Sequence, residues 1–367
     1  MKLKVWFNHD YSAVASEIQA LLQHEATLRP EDRIIGELHT AHCDQDLAGS
    51  SAIHRYAKEP ENVTPDRYLR WALVYANAHG INFLVLGRHH SLLARHVDDF
   101  RAIGVELLFA CSAKELAIVD VKSDFYHRLE QAFYADMVPY WKIWNGEYRT
   151  TFDQTIKSAL RRGRGQFKVC VKPASRLMGQ NFFTFQDPEQ RHDSQTPVTW
   201  SIQQTQTGAK KDWMVMEYLA GPEYEVDCLA WKGQLRNHKV EMKCGGHAPE
   251  RLQHSAELIR QLQVLAREFG LSGLFRATFR QDRHGRFKVL GVNPRITKGT
   301  PARAGDRVNL IWEWLKFAEL ADITSTAYLA PAFTATQKRR EPEAPRKGKI
   351  TTMPLDIMLR ERSYATC

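Results

Sequence analysis

The sequence predicts an α/β layer followed by an α+β layer, on three observations. Over residues 1–117 short apolar runs alternate with helix-compatible stretches, the pattern of a doubly wound parallel sheet. Over residues 118–330 hairpin signals break the strands, and helices are set between them, which is an α+β arrangement. Residues 331–367 hold a basic, proline-containing stretch, TATQKRREPEAPRKGK at 334–349. Its low apolar content predicts a linker and tail rather than a core.

Taken in order, residues 2–8 (KLKVWFN) alternate and predict a first strand, with 81–87 (INFLVLG) and 105–111 (VELLFAC) as two more. Helical stretches fall near 12–23, 65–79 and 91–102. Asn8-His9-Asp10-Tyr11 follows the first strand, so the G-x-G-x-x-G of a dinucleotide site is absent there. Helices near 121–136 and 152–162 precede a strand at 167–171 that ends in Lys172-Pro173. A strand at 213–216 turns through Gly221-Pro222 into another at 224–231, and 235–243 extends that sheet. Leu258, Leu262, Leu265 and Phe269 recur at helical spacing over 249–269, with Gly270 placed as a C-terminal cap. Strands at 274–280 and 286–292 flank the hairpin signature Asp282-Arg283-His284-Gly285. A last helix, 307–321, puts Ile311, Leu315 and Leu320 on one face.

The 367 residues, 43% hydrophobic and 25% charged, suffice for two or three domains at ~100–200 residues each. No run reaches the ~18 apolar residues a membrane helix needs, and the N-terminus lacks a signal peptide's apolar core and cleavage site. Six cysteines lie far apart with no C-x-x-C pair. That argues against a zinc ribbon or disulfide framework and points to a reducing cytoplasm. The net charge of +9 suits nucleic acid, anionic lipid or phosphate-bearing ligands alike. His89, His90 and His96 follow no metal-ligand spacing. The stretch RRGRG at 161–165 reads as a helix-ending loop of solvated charge.

Chemistry concentrates in one constellation. Lys122 stands in DVKSDFYHRL, and Lys172 in FKVCVKPA, followed by Met178 and Gly179. Glu217 and Glu223 lie in MVMEYLAGPEYEVDCLA, and Arg276, Asn293 and Arg295 in GLFRATFRQDRHGRFKVLGVNPRITKGT. Singly, each has an ordinary explanation. A strand-end lysine is usually a solvated charge, glutamates beside a Gly-Pro turn serve solubility, and Asn-Pro opens turns. In this order and at these intervals they resemble the ATP-grasp superfamily, and most of all its carbamoyl-phosphate synthetase and carboxylate–amine ligase branch. The resemblance runs from about residue 120 to 320. It implies a Rossmann-like pre-ATP-grasp α/β domain (1–117), an ATP-grasp domain (118–330) and a tail (331–367).

The resemblance also implies roles. Lys122 and Lys172 would neutralise a triphosphate from two different elements. Met178 and Gly179 lie in the segment 174–181, which would cover the phosphates with backbone N–H groups. Glu217 and the main chain of Leu219 would read the adenine edge, and Glu223 would accept bonds from the ribose hydroxyls. Arg276 falls on the transferring phosphate and Asn293 on a Mg²⁺-ligand position. Arg295 would hold the acyl-phosphate or the substrate carboxylate. The implied cofactors are ATP and Mg²⁺, and the implied partners are small carboxylate and amine substrates. A homodimer is a fold-level expectation.

Two departures qualify the likeness. The positions where the family carries its acidic Mg²⁺ ligands are Thr278 and Gly291 here. Neither supplies an anion, whereas Mg²⁺ prefers octahedral oxygen coordination with one or two carboxylates. The segment ASRLMGQNFF keeps a single glycine, so fewer backbone N–H groups can approach phosphate. Asp227, Glu241 and Asp282 are acids that could relocate a ligand. The preferred reading is an ATP-dependent carboxylate–amine ligase working through an acyl-phosphate, with a weakened Mg²⁺ site. One alternative is a catalytically degenerate ATP-grasp protein that binds nucleotide as a sensor or scaffold. The other, a basic nucleic-acid-binding protein using 161–165 and 338–349, is disfavoured because aromatic interleaving and a recognised module are absent.

Overall fold

The alternating stretch KLKVWFN becomes β1 (Leu3–Asp10), the centre of a parallel sheet ordered β3-β2-β1-β4-β5. Its other strands are β2 (Ile35–His42), β3 (His54–Lys58), β4 (Phe83–Leu86) and β5 (Glu106–Leu108). The computed structural model describes residues 2–42, 54–60, 63–144, 154–155, 169–174, 183–185, 213–243, 246–247, 250–297 and 309–320. Met1–Pro331 form one compact unit and Ala332–Cys367 another, and the described residues all lie in the first. β1 pairs in parallel with both β2 and β4. The chain therefore leaves β1 to build one side of the sheet and returns through β4 to build the other. The crevice beyond the carboxyl ends of β1 and β4 is thus a topological switch point.

Helices α1 (Tyr11–Thr27), α2 (Pro65–His79), α3 (His90–Leu93), α4 (Val97–Ala102), α5 (Ala113–Asp120) and α6 (Lys122–Gln131) accompany this sheet and lead out of it. Pro65 and Asp66 suit the first turn of α2, and Gly80, at φ 60°, closes it. The helix expected over 91–102 is divided instead into α3, a 3₁₀ turn at Ala94–His96 and α4. The helix expected over 152–162 and the loop residues Met178 and Gly179 lie outside the described residues, apart from 154–155.

The second sheet is antiparallel, ordered β6-β9-β7-β8, from β6 (Trp141–Trp144), β7 (Val169–Pro173), β8 (Phe183–Phe185) and β9 (Trp213–Glu217). The third is also antiparallel, ordered β12-β11-β10-β13-β14. Its strands are β10 (Glu223–Trp231), β11 (Gln234–Met242), β12 (Gly246–His247), β13 (Gly273–Gln281) and β14 (Phe287–Asn293). The hairpin between the last two is held by Asp282, whose Oδ1 accepts the N–H groups of His284 and Arg286 at 2.8 and 3.0 Å.

The helix expected over 249–269 breaks into α7 (Glu250–Gln253) and α8 (Ala256–Glu268). Gln253 supplies the reason. Its side-chain amide bonds both the N–H and the C=O of Val240 on β11, at 3.0 and 2.8 Å, while Ser255 restarts the helix by capping Leu258. On α8, Leu258, Leu262 and Leu265 are fully buried with Val226, Cys228, Phe275, Ala277 and Phe279 of the third sheet. Each such leucine contributes about 1.5–3 kcal/mol.

A second core joins the first and third sheets. It contains Leu3, Val5 and Phe7 of β1, Leu229 and Trp231 of β10, Leu274 of β13, Ile296, and Trp314 and Leu315 of α9 (Leu310–Leu320). Gly273 makes this contact possible, because a Cβ there would stand 2.7 Å from the Trp314 ring. The expected boundary at 117/118 falls within α5. No helix among the described residues is long and apolar enough to cross a membrane.

Candidate functional site

Strand alternation divides the third sheet into two faces. Tyr224, Val226 and Cys228 belong to the core beside α8, so Glu223, Glu225 and Asp227 emerge on the opposite face. Register then sets charged residues in rows. One row is Glu241, Glu225, Thr278 and Gly291 across β11, β10, β13 and β14. The next is Lys239, Asp227, Arg276 and Asn293. The two positions that lack an acid, Thr278 and Gly291, are therefore direct cross-strand partners.

Arg276 anchors this face. Its Nε and Nη2 donate to the two carboxylate oxygens of Asp227 at 2.8 and 2.7 Å, and Nη1 donates to Glu225 at 2.9 Å. Burial opposes the guanidinium charge, but the bonds from Asp227 and the charges of Asp227 and Glu225 outweigh it and raise the arginine pKa. Burial pushes the Asp227 carboxyl up to about 6, against the Arg276 bonds. At neutral pH the pair stays ionised and two-pronged. Asp227 is thus committed to Arg276, and Asp282 to its hairpin turn, where it also meets Arg286 at 2.8 Å.

The two lysines approach from outside this sheet. Lys122 opens α6, its N–H bonded to Ala174 O beyond the end of β7 at 3.2 Å. Its ammonium donates to Leu290 O at 3.1 Å, and Tyr126 OH donates to the same carbonyl at 3.2 Å. A Cβ at Gly291 would stand 3.4 Å from the Lys122 nitrogen. Burial lowers the Lys122 pKa, against the attraction of Glu223. Lys172, on β7, is pushed down to about 7, first by burial and then by the charge of Lys122, with Glu223 opposing. Lys122, Lys172 and Glu223 thus share one electrostatic neighbourhood, in which the Glu223 carboxylate holds Lys243 at 2.5 Å.

The remaining expected residues lie around it. Glu217, the last residue of β9, accepts the Tyr140 N–H at 3.1 Å, and burial raises its carboxyl pKa. The Leu219 side chain is buried two residues further on. Asn293 and Arg295 are exposed at the end of β14 and just after it, with Arg295 N–H donating to Asn293 O at 2.9 Å. No cluster of three His, Cys, Asp or Glu residues suited to a metal ion occurs among the described residues. Glu225 was missed from the sequence. Its signal was the acid at every second position, 223, 225 and 227, of one strand.

Residues 209–338 match the sequence model of a family described as ATP-grasp in the biosynthetic pathway with Ter operon. The biotin carboxylase domain of Hydrogenobacter thermophilus 2-oxoglutarate carboxylase superposes with a TM-score of 0.60 at 13% identity, covering 87% of this chain and 70% of that one. The fold here is ATP-grasp. An L-amino acid ligase from Bacillus licheniformis gives a TM-score of 0.54 at 11% identity, covering 87% of this chain and 74% of that one. Biotin carboxylase from Campylobacter jejuni gives 0.60 at 13% identity, covering 86% and 70%. The curated proteins compared by sequence contain no match.

The Hydrogenobacter domain was solved with MgADP and bicarbonate. On the polar face of the third sheet of this chain, the donors around Thr278 and Gly291 do not fit a Mg²⁺ ion held by protein carboxylates. Thr278 offers a hydroxyl, Gly291 no side chain and Asn293 a single amide, while of the two carboxylates in the same row Glu225 is bonded to Arg276 and Glu241 lies 3.8 Å from the Lys239 ammonium. Instead, the Lys122 ammonium stands over the backbone of Gly291.

Proposed function

We propose that the chain binds ATP over the polar face of the third sheet and uses it to activate a carboxylate. The observation that carries this reading is the meeting of α6 and β7, where the Lys122 N–H bonds Ala174 O two residues beyond Lys172 and both lysines feel the charge of Glu223. Two half-buried lysines in one electrostatic neighbourhood repel one another, and a polyanion between them removes that repulsion. In the proposed reaction a carboxylate oxygen attacks the γ-phosphorus and ADP leaves. An amine or related nucleophile then attacks the acyl carbon, and inorganic phosphate departs. Lys122, Lys172 and Arg276 stabilise phosphate charge, Glu217, Leu219 and Glu223 position the nucleoside, and Asn293 and Arg295 attend the transfer end. This is the carboxylate–amine ligase branch of ATP-grasp chemistry. A homodimer and a reducing, cytoplasmic setting go with the reading, the latter supported by the free, buried thiols of Cys111, Cys170 and Cys228.

The test is ADP release across a panel of carboxylates and amines, with and without Mg²⁺. Turnover that requires a carboxylate supports a ligase. Tight ATP binding without metal and without turnover on any panel member supports the second reading, a nucleotide-binding sensor or scaffold. Lys122 beside Gly291, where the family carries an acid, is the observation that favours that alternative.

A further inference from the structure

β1 ends at the switch point with a histidine that the fold buries and leaves unsatisfied. His9 is 6% exposed, and neither of its ring nitrogens has a hydrogen-bond partner among the described residues. A neutral imidazole carries one donor and one acceptor, and burying both unpaired forfeits the hydrogen bonds that each would make to water. Such an orphan calls for a partner that the described residues do not supply. The surroundings show that its place is built. Arg88 N–H bonds Asn8 O at 2.7 Å, tying the end of β1 to the residue after Gly87. A Cβ at Gly87 would lie 2.5 Å from the His9 ring and 2.5 Å from Asn8 O, so the ring lies across a glycine that no other residue could replace without displacement. His89, next in that segment, adopts a left-handed φ of 51°, uncommon for a residue with a side chain.

The ring also faces a particular direction. His9 follows Phe7 on the face of β1 whose residues Val5 and Phe7 share a core with Ile296. Ile296 adjoins Arg295, the residue that the proposed function assigns to the transfer end. The charges of Arg295 and His90 both act on His9, and together with burial, the largest effect, they hold its pKa down to about 3. The imidazole is therefore uncharged at neutral pH.

We propose that His9 is a substrate-contacting residue, its imidazole hydrogen-bonding a hydroxyl or amino group on a small carboxylic acid whose carboxylate Arg295 holds. This deepens the proposed function and rests on its reading of Arg295 as a carboxylate site. A neutral imidazole matches a hydroxyl or amine, which both donates and accepts, while the guanidinium matches the carboxylate. Neither role involves a phosphate or a metal.

The test uses the full chain labelled with ¹⁵N-histidine, with His9 ring signals assigned by their loss in His9→Gln. Glycolate, lactate, glycine and alanine are titrated against acetate and propionate. The expected result is a shift of the His9 nitrogens by at least one polar acid, which binds about tenfold more tightly than its apolar counterpart. His9→Leu is expected to abolish that preference and His9→Gln, which keeps a donor and an acceptor, to restore part of it. His9 signals unmoved by every probe, or a preference unchanged in His9→Leu, would overturn the proposal. Because binding is read without turnover, a His9 shift with no ADP release rejects the ligase reading and keeps this one. ADP release whose acid preference ignores His9 does the reverse.

Discussion

Gly291 shows how much one missing side chain changes at the residue scale. With the Lys122 nitrogen 3.4 Å from where its Cβ would stand, Gly291→Glu places a carboxylate beside an ammonium that the proposed function assigns to phosphate. The variant is expected to bind ATP about tenfold more weakly without Mg²⁺, roughly the loss of one charge-assisted contact, and to regain affinity when Mg²⁺ is added. Calorimetric titration reads both, and unchanged metal-free affinity would remove Lys122 from the phosphate site. Lys172 makes a prediction about pH. Its folded pKa is about 7, against about 10.5 in an unfolded chain. Between those values the unfolded state binds the extra proton, so stability rises with pH through that window. The cost of the buried charge is fully present below about 7. A bound triphosphate favours the protonated lysine, so ATP binding above pH 7 takes up a proton and weakens as pH rises from about 7 to 9. Titrations in two buffers of different ionisation enthalpy measure the uptake, and affinity flat with pH would contradict it.

At the scale of the element, the polar face of β10 and β13 is a designed liability. Arg276, Asp227 and Glu225 remove charge from water on a strand pair whose other face is core. Breaking one partner leaves an uncompensated buried charge, so Arg276→Leu should destabilise the protein by about 3–5 kcal/mol. The double variant Arg276→Leu, Asp227→Leu should recover much of that loss, since the orphaned carboxylate is removed as well. Urea unfolding of the three proteins gives the comparison, and equal loss in single and double variants would show that the pair is not the cause. Elements with a clear period were legible from sequence, such as β1, α2 and the β13–β14 hairpin, because apolar spacing and turn residues agree there. β2, β3 and α5 were not expected. IGELHTAH and HRYAK interleave histidine, threonine and charge, and only the pairing of β2 with β1 and of β3 with β2 makes them strands. The break between α7 and α8 was equally hidden, because it depends on Gln253 finding Val240 across the fold.

Across the whole molecule, the sheets are bound by shared apolar surface. Trp314 packs over Gly273 within the core that joins β1 to β10 and β13. Trp314→Ala should cost about 3–5 kcal/mol, and unfolding followed by far-ultraviolet circular dichroism and by tryptophan fluorescence should remain one coincident transition. Two separated transitions in the wild-type protein would mean that residues 1–117 behave as an independent domain.

The sequence by itself determined the class of the layers, the order of the charged residues and the absence of acids at 278 and 291. Those are local or ordinal properties, written in period and spacing. The tertiary structure alone decided that Thr278 and Gly291 face each other, that Asp227 is consumed by Arg276, and that a lysine from α6 stands over Gly291. It also decided that His9 is buried at the switch point with neither ring nitrogen hydrogen-bonded among the described residues. Each of these depends on strand register or on the meeting of segments more than a hundred residues apart. Hydrophobic spacing specifies which face of a strand is buried, but which partner lies opposite is chosen only when the sheets assemble.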